Sequence, residues 1–564
     1  MLNKGKKSQL GLGIRVDKDV SIVMRDGISL KADIFRPRNA GKYPVIINIG
    51  PYQKDKHWVP PSDLEEKDNP HMNWETANPL WWVPRGYVLI RVDTRGAGKS
   101  PGQTDPLSLQ EAIDFYDAIE WSARQSWSSG RVGTLGISYY AINQWLVASL
   151  KPPSLKAMIP WEGAADMYRD WAYHGGIFNL GFLGNWFNTH MAHHLLGKPH
   201  QYNPDTFSKH WLWQYMRESL DSGCYHGRQA NWNNIDIPLY SVGNWSGMGL
   251  HLRGNTEGFM RAVSKHKRLR IHSGTHFHPF HSEEGRQDQL RFFNHWLKGI
   301  DSGIADEAPV KLLIRTGGGR ADYWRFEQEW PLARTEWTKF YLRVTKPVSR
   351  SGYACLAVAP SPTSGSVSYP ASGLSKAAGT PSWSATPVGS IATQAGVSFE
   401  TDPLSTDMEV TGPINLVLWV SSTTEDMDIF ATLRNIDCDG NDVWEVGQQK
   451  QQVPVAKGWL RASHRRLDPT LSLPYRPYHM HDQRQLLQPN KRTQLQVEIW
   501  PTCMVFKKGH RIRLDIQPRD GVGSPPYTHY SADYNTGTNT IYTGGRSPSY
   551  LLLPIIPSAA PKQK

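Results

Sequence analysis

The sequence predicts an α/β protein with a doubly wound parallel sheet, interrupted by a helical insertion and followed by an all-β region. Up to Gly299, buried apolar runs alternate with segments of helical periodicity, as in parallel sheets. Beyond Gly299, short alternating strands separated by Gly, Pro and Ser turns predict a β-sandwich. The expected ranges are 1–165 for the first part of the core, 166–235 for a helical cap, 236–305 for the second part of the core, and 306–564 for the β-sandwich.

Each core element has its own signal in the sequence. The apolar runs at 45–49 and 87–92 fit strands that are buried on both faces. Residues 107–126 have the periodicity of an amphipathic helix. Residues 351–393 are rich in Ser, Ala, Pro and Gly and predict a long surface loop system, and the tail 558–564 is expected to fray. Further strands are predicted at 155–160, 238–243 and 269–272, and in the β-sandwich at 312–315, 338–344, 414–420 and 493–499.

Length, charge and cysteine content indicate a multidomain protein that neither binds nucleic acid nor spans a membrane. A chain of 564 residues is too long for one core, so two or three domains are expected. The net charge of +12 comes from scattered basic residues without a nucleic-acid-binding motif, which indicates a basic solvated surface and no nucleic-acid partner. Because no run of about 18 apolar residues is present, no membrane span is expected. The four cysteines lack metal or redox spacing, and no secretory signal is present, so we expect a cytoplasmic protein without a cofactor.

Ser138 stands between a predicted strand, 131–137, and a predicted helix, 139–150. A serine in a tight strand-to-helix turn, two residues after Gly136, is typical of the nucleophile elbow of α/β-hydrolases. The turn presents the hydroxyl at a helix N-terminus beside a free backbone N–H. Tyr140 stands where the usual motif has its second glycine, so an ordinary strand–helix turn is the alternative interpretation.

Aromatic and histidine residues are concentrated in and around the predicted cap. Many of the 23 tryptophans fall between Trp58 and Trp245, where they would either line an apolar pocket or pack in the core. His190, His193 and His194 have helical spacing, but no acidic residue stands nearby. We therefore expect these histidines to pack in the cap, and we expect no metal site.

Many ordered runs of this chain resemble one family of serine hydrolases, CocE/NonD, which includes cocaine esterase, α-amino-acid ester hydrolases and X-Pro dipeptidyl-peptidases. The resemblance covers almost the whole chain. It implies an α/β-hydrolase core, a helical cap and a C-terminal jelly roll, with cleavage of a small-molecule ester or amide through an acyl-serine intermediate. The runs that carry it are 24–33, 50–54, 93–100, 120–121, 127–133, 136–139, 421–428, 458–463 and 506–513.

The resemblance implies roles for particular residues of the predicted site. Ser138 is the expected nucleophile, activated by a histidine in the loop after the last core strand. We choose His276 for that role over its neighbours His272, His278 and His281. His272 is expected at a strand end, whereas the other two are expected in outer or simply polar positions.

The family's oxyanion hole joins a backbone N–H to a tyrosine hydroxyl. The matching groups of this chain are the N–H of Tyr139 and the phenol of Tyr52. Fixed donors of this kind stabilise the charge that develops on the carbonyl oxygen. A loop aromatic that only packs is the alternative interpretation of Tyr52.

The triad acid departs from the family pattern. The family's aspartate position is occupied by Gly247, and no carboxylate occurs between Asp236 and Glu257. A triad still needs an anion to fix the tautomer of the histidine and to stabilise the imidazolium. Glu162, just past the neighbouring predicted strand, is our choice of catalytic acid; Asp166 and Glu257 are the alternatives.

Three functions remain open at this point. The leading one is a serine hydrolase with a relocated acid. The same acyl-enzyme could instead pass its acyl group to an acceptor other than water, which would make the protein an acyltransferase. The missing aspartate favours a non-catalytic binding protein on a degraded hydrolase scaffold. In each case the small molecule bound would be an ester or an amide, and the protein could form a homo-oligomer.

Overall fold

The computed structural model describes residues 14–196, 211–318, 321–344, 354–372, 396–521, 527–529 and 536–557. The described residues form an α/β region followed by a β-rich region. In the α/β region, the strands are β1 (Ile14–Val23), β2 (Ser29–Pro37), β3 (Tyr43–Gly50), β4 (Val88–Asp93), β5 (Ser128–Ile137), β6 (Leu155–Trp161), the hairpin β7 (Tyr173–His174) and β8 (Ile177–Phe178), then β9 (Leu239–Asn244), β10 (Lys267–His272), β11 (Val310–Ile314) and β12 (Tyr323–Glu327).

The first sheet has ten strands, in the order β1-β2-β4-β3-β5-β6-β9-β10-β11-β12. Its central strands, from β4 to β11, pair in parallel, whereas the outer pairs at both edges are antiparallel. The central strands are buried on both faces, as their continuous apolar sequences predict. Because parallel strands end at one edge, the residues that follow β5, β6, β9 and β10 come together there.

The predicted core elements lie within a few residues of their expected positions, but the boundary with the β-rich region does not. The segment 312–315 was expected to open the β-sandwich. Instead, β11 pairs with β10 and β12 pairs with β11, so both strands extend the first sheet. The burial of β11 alternates along the strand, and a sandwich strand has the same alternating pattern, which is why the assignment of 312–315 to the β-sandwich was wrong.

Helices cover the sheet and form part of the predicted cap. The segment 166–235 combines short α-helices with π-helical turns and the β7–β8 hairpin; residues 197–210 lie outside the described residues. The α-helices are Pro79–Trp82, Leu109–Ala123, Tyr139–Ser149, Leu180–Trp186, Ala192–Leu196, Trp211–Arg217, Gly223–His226, Leu252–Arg261, His278–His281 and Glu283–Lys298; 3₁₀ turns are Val83–Arg85, Trp232–Asn234 and Ala462–His464, and π-helical turns are Met167–Ala172 and Phe187–Met191.

The β-rich region is built from one eleven-stranded sheet and a small hairpin. The large sheet closes, because β17 pairs with β25 as well as with its other neighbours. The stretch 351–393, predicted as loops, contains two strands in its described part; its other residues, and the tail 558–564, lie outside the described residues. The strands are β13 (Glu336–Arg343), β14 (Ala354–Ala357), β15 (Gly365–Pro370), β16 (Val397–Glu400), β17 (Met408–Ser422), β18 (Asp428–Ile436), β19 (Glu445–Val446), β20 (Gln452–Val453), β21 (Ala456–Arg461), β22 (Thr493–Phe506), β23 (Arg511–Gln517), β24 (Thr538–Thr543) and β25 (Tyr550–Ile556).

Buried polar contacts join the two regions. Arg253 donates to Glu498 at 2.9 Å, and Arg315 donates to the carbonyl of Cys503 at 2.8 Å. Arg476 donates to Glu257 at 2.8 Å. Each contact has at least one buried partner, which would be left without this hydrogen bond if the other partner were lost. The regions therefore pack as one body around the edge of the sheet where the candidate site lies.

Candidate active site

Ser138 lies in a sharp turn between β5 and the helix Tyr139–Ser149, with φ 55° and ψ −111°. Its N–H donates to the carbonyl of Trp161 at 3.0 Å, which ties the turn to the end of β6. A Cβ at Gly136 would lie 2.3 Å from the Cβ of Tyr140, so only glycine fits there. A Cβ at Gly50 would lie 2.5 Å from the Tyr140 ring, so that glycine makes room for the residue that replaces the usual second glycine.

The hydroxyl of Ser138 hydrogen-bonds to a histidine that the sequence did not single out. The Oγ lies 3.0 Å from Nε2 of His251, which directly precedes the helix Leu252–Arg261. The expected partner was His276. That ring lines the same pocket and stacks on the His251 ring with centroids 5.3 Å apart, but its Nε2 hydrogen-bonds to Glu75 instead.

Glu162 and His276 form the hydrogen bond expected between them. Nδ1 of His276 lies 2.6 Å from Oε2 of Glu162, which is fully buried at the end of β6. Glu162 has φ 50°, its N–H donates to Val242, and its carbonyl accepts from the Ser138 N–H at 3.1 Å. The backbone of the serine and the backbone of the acid are thus joined directly.

The two alternative acids are engaged elsewhere. Asp166 accepts from the backbone N–H groups of Tyr168 and Arg169 and pairs with the Arg169 guanidinium at 2.8 Å. Glu257 pairs with Arg476. Both carboxylates therefore have structural partners away from His276.

A second carboxylate faces the other side of the His276 ring. Oε1 of Glu75 lies 3.1 Å from Nε2 of His276, and the carbonyl of Glu75 accepts from the Ile137 N–H at 3.1 Å. Glu75 is buried and has φ 59°. The imidazole is thus held between two buried carboxylates beside the serine.

Of the two expected oxyanion groups, Tyr52 lines the same pocket as Ser138, and Tyr139 directly follows the serine in the chain. The Tyr52 hydroxyl accepts from Nε1 of Trp186 at 3.0 Å, so its own hydrogen is free to donate into the pocket. Tyr139 is the first residue of its helix, and its N–H therefore has no intrahelical acceptor. Its phenol donates to Glu111 at 2.7 Å, away from the serine.

A cavity of about 340 Å³ opens over Ser138. Its apolar wall includes Trp74, Trp186 and Phe277, so some tryptophans of the cap and core line the pocket, as one of the two interpretations expected. Others, such as Trp171, are core residues. The volume fits a small molecule rather than a long chain.

Comparisons with known proteins match both regions of the chain to hydrolases of one kind. Residues 26–278 match the model of the X-Pro dipeptidyl-peptidase (S15 family), and residues 302–552 match the X-Pro dipeptidyl-peptidase C-terminal non-catalytic domain. Cocaine esterase of Rhodococcus sp. (strain MB1 Bresler) is 25% identical, over 96% of this chain and 98% of the esterase. The crystal structure of a CocE/NonD family hydrolase from Staphylococcus aureus is 31% identical, with a TM-score of 0.86 over 97% of each chain.

The chain belongs to the CocE/NonD family. It is accordingly a serine hydrolase of the esterase or peptidase kind. An α-amino acid ester hydrolase, 16% identical with a TM-score of 0.70 over 98% of this chain, shares the fold. In the described part of this CocE/NonD chain, no helix has both the length and the apolar composition needed to cross a bilayer.

The two histidines of this CocE/NonD site have opposite electrostatic environments. Burial alone would lower the pKa of His276, but Glu162 and Glu75 raise it to about 10. Burial and the adjacent His276 lower the pKa of His251 to about 3. Burial raises the pKa of Glu75; it would do the same for Glu162, but His276 and its neighbouring histidines hold the Glu162 pKa below its ordinary value.

One side chain from the β-rich region stands among these groups. Nε2 of Gln448 hydrogen-bonds to Oε2 of Glu162 and lies 3.1 Å from Nδ1 of His251 and 3.3 Å from Nδ1 of His276. Donor atoms of Glu162, His251 and His276 lie within 4.8 Å of one another, a spacing that could hold a metal ion. The amide nitrogen occupies the space between them, so a cation would have to displace Gln448.

The remaining predicted histidines lie where other groups engage them. His272 ends β10, with Nε2 3.3 Å from Glu162, and His281 pairs with Glu66 at 2.6 Å. In the cap, His193 contacts Gln53 at 2.6 Å, and Nε2 of His194 lies 2.7 Å from a backbone carbonyl. His194 is buried, in agreement with the packing interpretation of the cap histidines, whereas His193 is exposed.

Three side chains at the centre of the site were missed by sequence reasoning. His251 follows the expected acid position, Gly247, by four residues, so a search of that loop for any titratable group would have found it. Glu75 lies in a long loop without a motif. Gln448 is 286 positions from Glu162 along the chain, and no local pattern marks it.

Proposed function

We propose that this hydrolase cleaves an ester or amide bond through an acyl-Ser138 intermediate on an α/β-hydrolase core. In this proposal, His276 and Glu162 complete the triad. The observation that carries the proposal is the buried 2.6 Å bond between His276 and Glu162, beside a serine in a strained elbow. The chain order Ser138, Glu162, His276 also follows the order serine, acid, histidine of this fold.

His276 is the better base even though His251 is the nearer histidine. The donor at Nδ1 of His251 is the Gln448 amide, so that ring carries its hydrogen on Nε2 and donates to the serine. An imidazolium at 251 would also lack a carboxylate at its Nδ1. His276 has Glu162 there, the arrangement that stabilises an imidazolium during catalysis.

The reaction begins when the Ser138 hydroxyl breaks its hydrogen bond to His251 and forms one to Nε2 of His276. The proton on Nε2 that faces Glu75 is first lost to water, which leaves the neutral imidazole that can act as a base. Oγ of Ser138 then attacks the carbonyl carbon and passes its proton to His276, while Tyr139 N–H and the Tyr52 hydroxyl donate to the developing oxyanion. His276 protonates the leaving alcohol or amine, and a water molecule hydrolyses the acyl-serine by the reverse proton transfers.

Labelling with a fluorophosphonate tests the nucleophile and its activation together. We expect one phosphonyl group per chain on the peptide that contains Ser138, because the reagent needs an activated serine. Intact mass and peptide mapping give the measurement, with heat-unfolded protein as the control. Labelling at another residue, or equal labelling of the unfolded protein, would contradict the proposal.

Tyr52→Phe is expected to lower kcat for an aryl ester by about 10²–10³, with little change in KM. The phenol is proposed to donate to the oxyanion, which forms only in the transition state. Steady-state kinetics give the measurement. Tyr240→Phe is the control, because Tyr240 is a buried core phenol. An unchanged kcat in Tyr52→Phe would assign Tyr52 to packing alone.

Glu75→Gln is expected to move the rising limb of the pH profile of kcat/KM to lower pH by about 1 unit or more. A carboxylate that raises the His276 pKa keeps this base protonated until higher pH; without it, the neutral imidazole is present at lower pH. The pH–rate profile measures this. Glu66→Gln, which breaks a similar buried pair with His281, should leave the limb in place. An unmoved limb in Glu75→Gln would contradict the role given to Glu75.

A further inference from the structure

Gln448 reaches the catalytic centre from the β-rich region. It lies in the turn between β19 and β20, and its side chain is only 4% exposed. Its own carbonyl accepts from the backbone N–H of His276 at 3.0 Å. Its Oε1 accepts from the Tyr527 hydroxyl at 2.9 Å. The residue is therefore held by both its backbone and its side chain against the loop that carries the histidine.

The hydrogen bonds fix which way the Gln448 amide faces. Tyr527 donates to Oε1, and ionised Glu162 only accepts, so Nε2 faces Glu162. One amide hydrogen satisfies Glu162. The second faces Nδ1 of His251, since Nδ1 of His276 already donates to Glu162. A single amide thus orients the carboxylate and fixes the tautomer of the histidine that contacts the serine.

The amide occupies space beside Gly247, the position that the resemblance assigns to the family's aspartate. A Cβ at Gly247 would lie 3.3 Å from Nε2 of Gln448. A side chain at 247 and the Gln448 amide would therefore compete for one space. Glycine at 247 thus leaves room for the Gln448 amide beside Glu162.

We infer that Gln448 is a positioning residue that holds Glu162 against His276. Glu162 is fully buried, and its oxygens need donors to remain charged there. Asn244 donates to Oε1 at 3.1 Å, while Gln448 and His276 share Oε2. The inference rests on the proposed triad. Gln448 lies in residues 302–552, which match a C-terminal non-catalytic domain. By this inference, that region helps to orient the proposed catalytic acid.

The test replaces Gln448 by Met, which keeps the length of the side chain and removes the amide. We expect kcat to fall about 10- to 100-fold, by analogy with the loss of groups that orient the side chains of a metal site. KM should change little, and the rising limb of the pH profile should move to lower pH, because a loosened Glu162 supports the His276 imidazolium less. Gln452→Met, at an exposed position of the same hairpin, is the matched control.

A double-mutant cycle separates positioning from a general loss of structure. If Gln448 acts through Glu162, Gln448→Met should cost almost nothing further in a Glu162→Gln background. The inference would be overturned if the losses in activity of Gln448→Met and Glu162→Gln were fully additive. It would also be overturned if Gln448→Met had the same kcat and pH profile as Gln452→Met. If Gln448→Met fails to fold, Tyr527→Phe tests the same amide: a shift of the pH profile in the same direction supports the inference, and an unchanged profile overturns it. Failure of the proposed triad would show separately in the protein with Gln448 unchanged, either as an absence of fluorophosphonate labelling at Ser138 or as a loss of kcat in His251→Ala larger than that in His276→Ala.

Discussion

Ser138→Ala is expected to lower kcat for a short-chain aryl ester by about 10⁴–10⁶ while leaving the fold intact. The hydroxyl is the proposed nucleophile. It makes one side-chain hydrogen bond, to His251, and the loss of that bond should not unfold the protein. Initial rates and circular dichroism measure the two effects. Ser149→Ala, at the far end of the same helix, is the matched control.

Substantial activity in purified Ser138→Ala would remove the serine from the mechanism. Loss of activity in both variants would instead point to the helix that follows the elbow. The proposal survives only if the loss is confined to position 138.

The second large effect separates the two histidines. His276→Ala should lower kcat by about 10⁴, because it removes both the proposed base and the partner of the buried Glu162. His251→Ala should cost less than about 10², since that ring is proposed only to hold the resting serine hydroxyl. Steady-state kinetics of both variants on one substrate give the measurement.

The reverse order of losses would make His251 the base. The triad would then lack a carboxylate at Nδ1 of its histidine, where Gln448 stands. Equal losses in both variants would indicate that the stacked rings act as one unit.

Elements with strong local signals were predictable from the sequence. The core strands, the helix after Ser138 and the elbow all follow from apolar periodicity and from glycine at a close approach. The contact between Glu162 and His276 was also predictable, because parallel strands end at one edge of the sheet.

The rest of the site depends on contacts between distant parts of the chain. His251, Glu75 and Gln448 converge from three loops, and single residues in loops have no periodicity to detect. Strands β11 and β12, the last two of the first sheet, were assigned to the wrong region for a related reason. Their alternating pattern shows that one face is exposed, but not which sheet they join.

Three residues of the proposed site have a strained backbone conformation. Glu75, Ser138 and Glu162 all have φ between 50° and 59°, where residues with a side chain are strained by about 1–3 kcal/mol each. Glycine at 75 or 162 would relax the chain but remove a carboxylate that faces His276. Relief of this backbone strain would therefore remove a group of the proposed mechanism, so stability compatible with turnover is better sought in the packing of other parts of the chain.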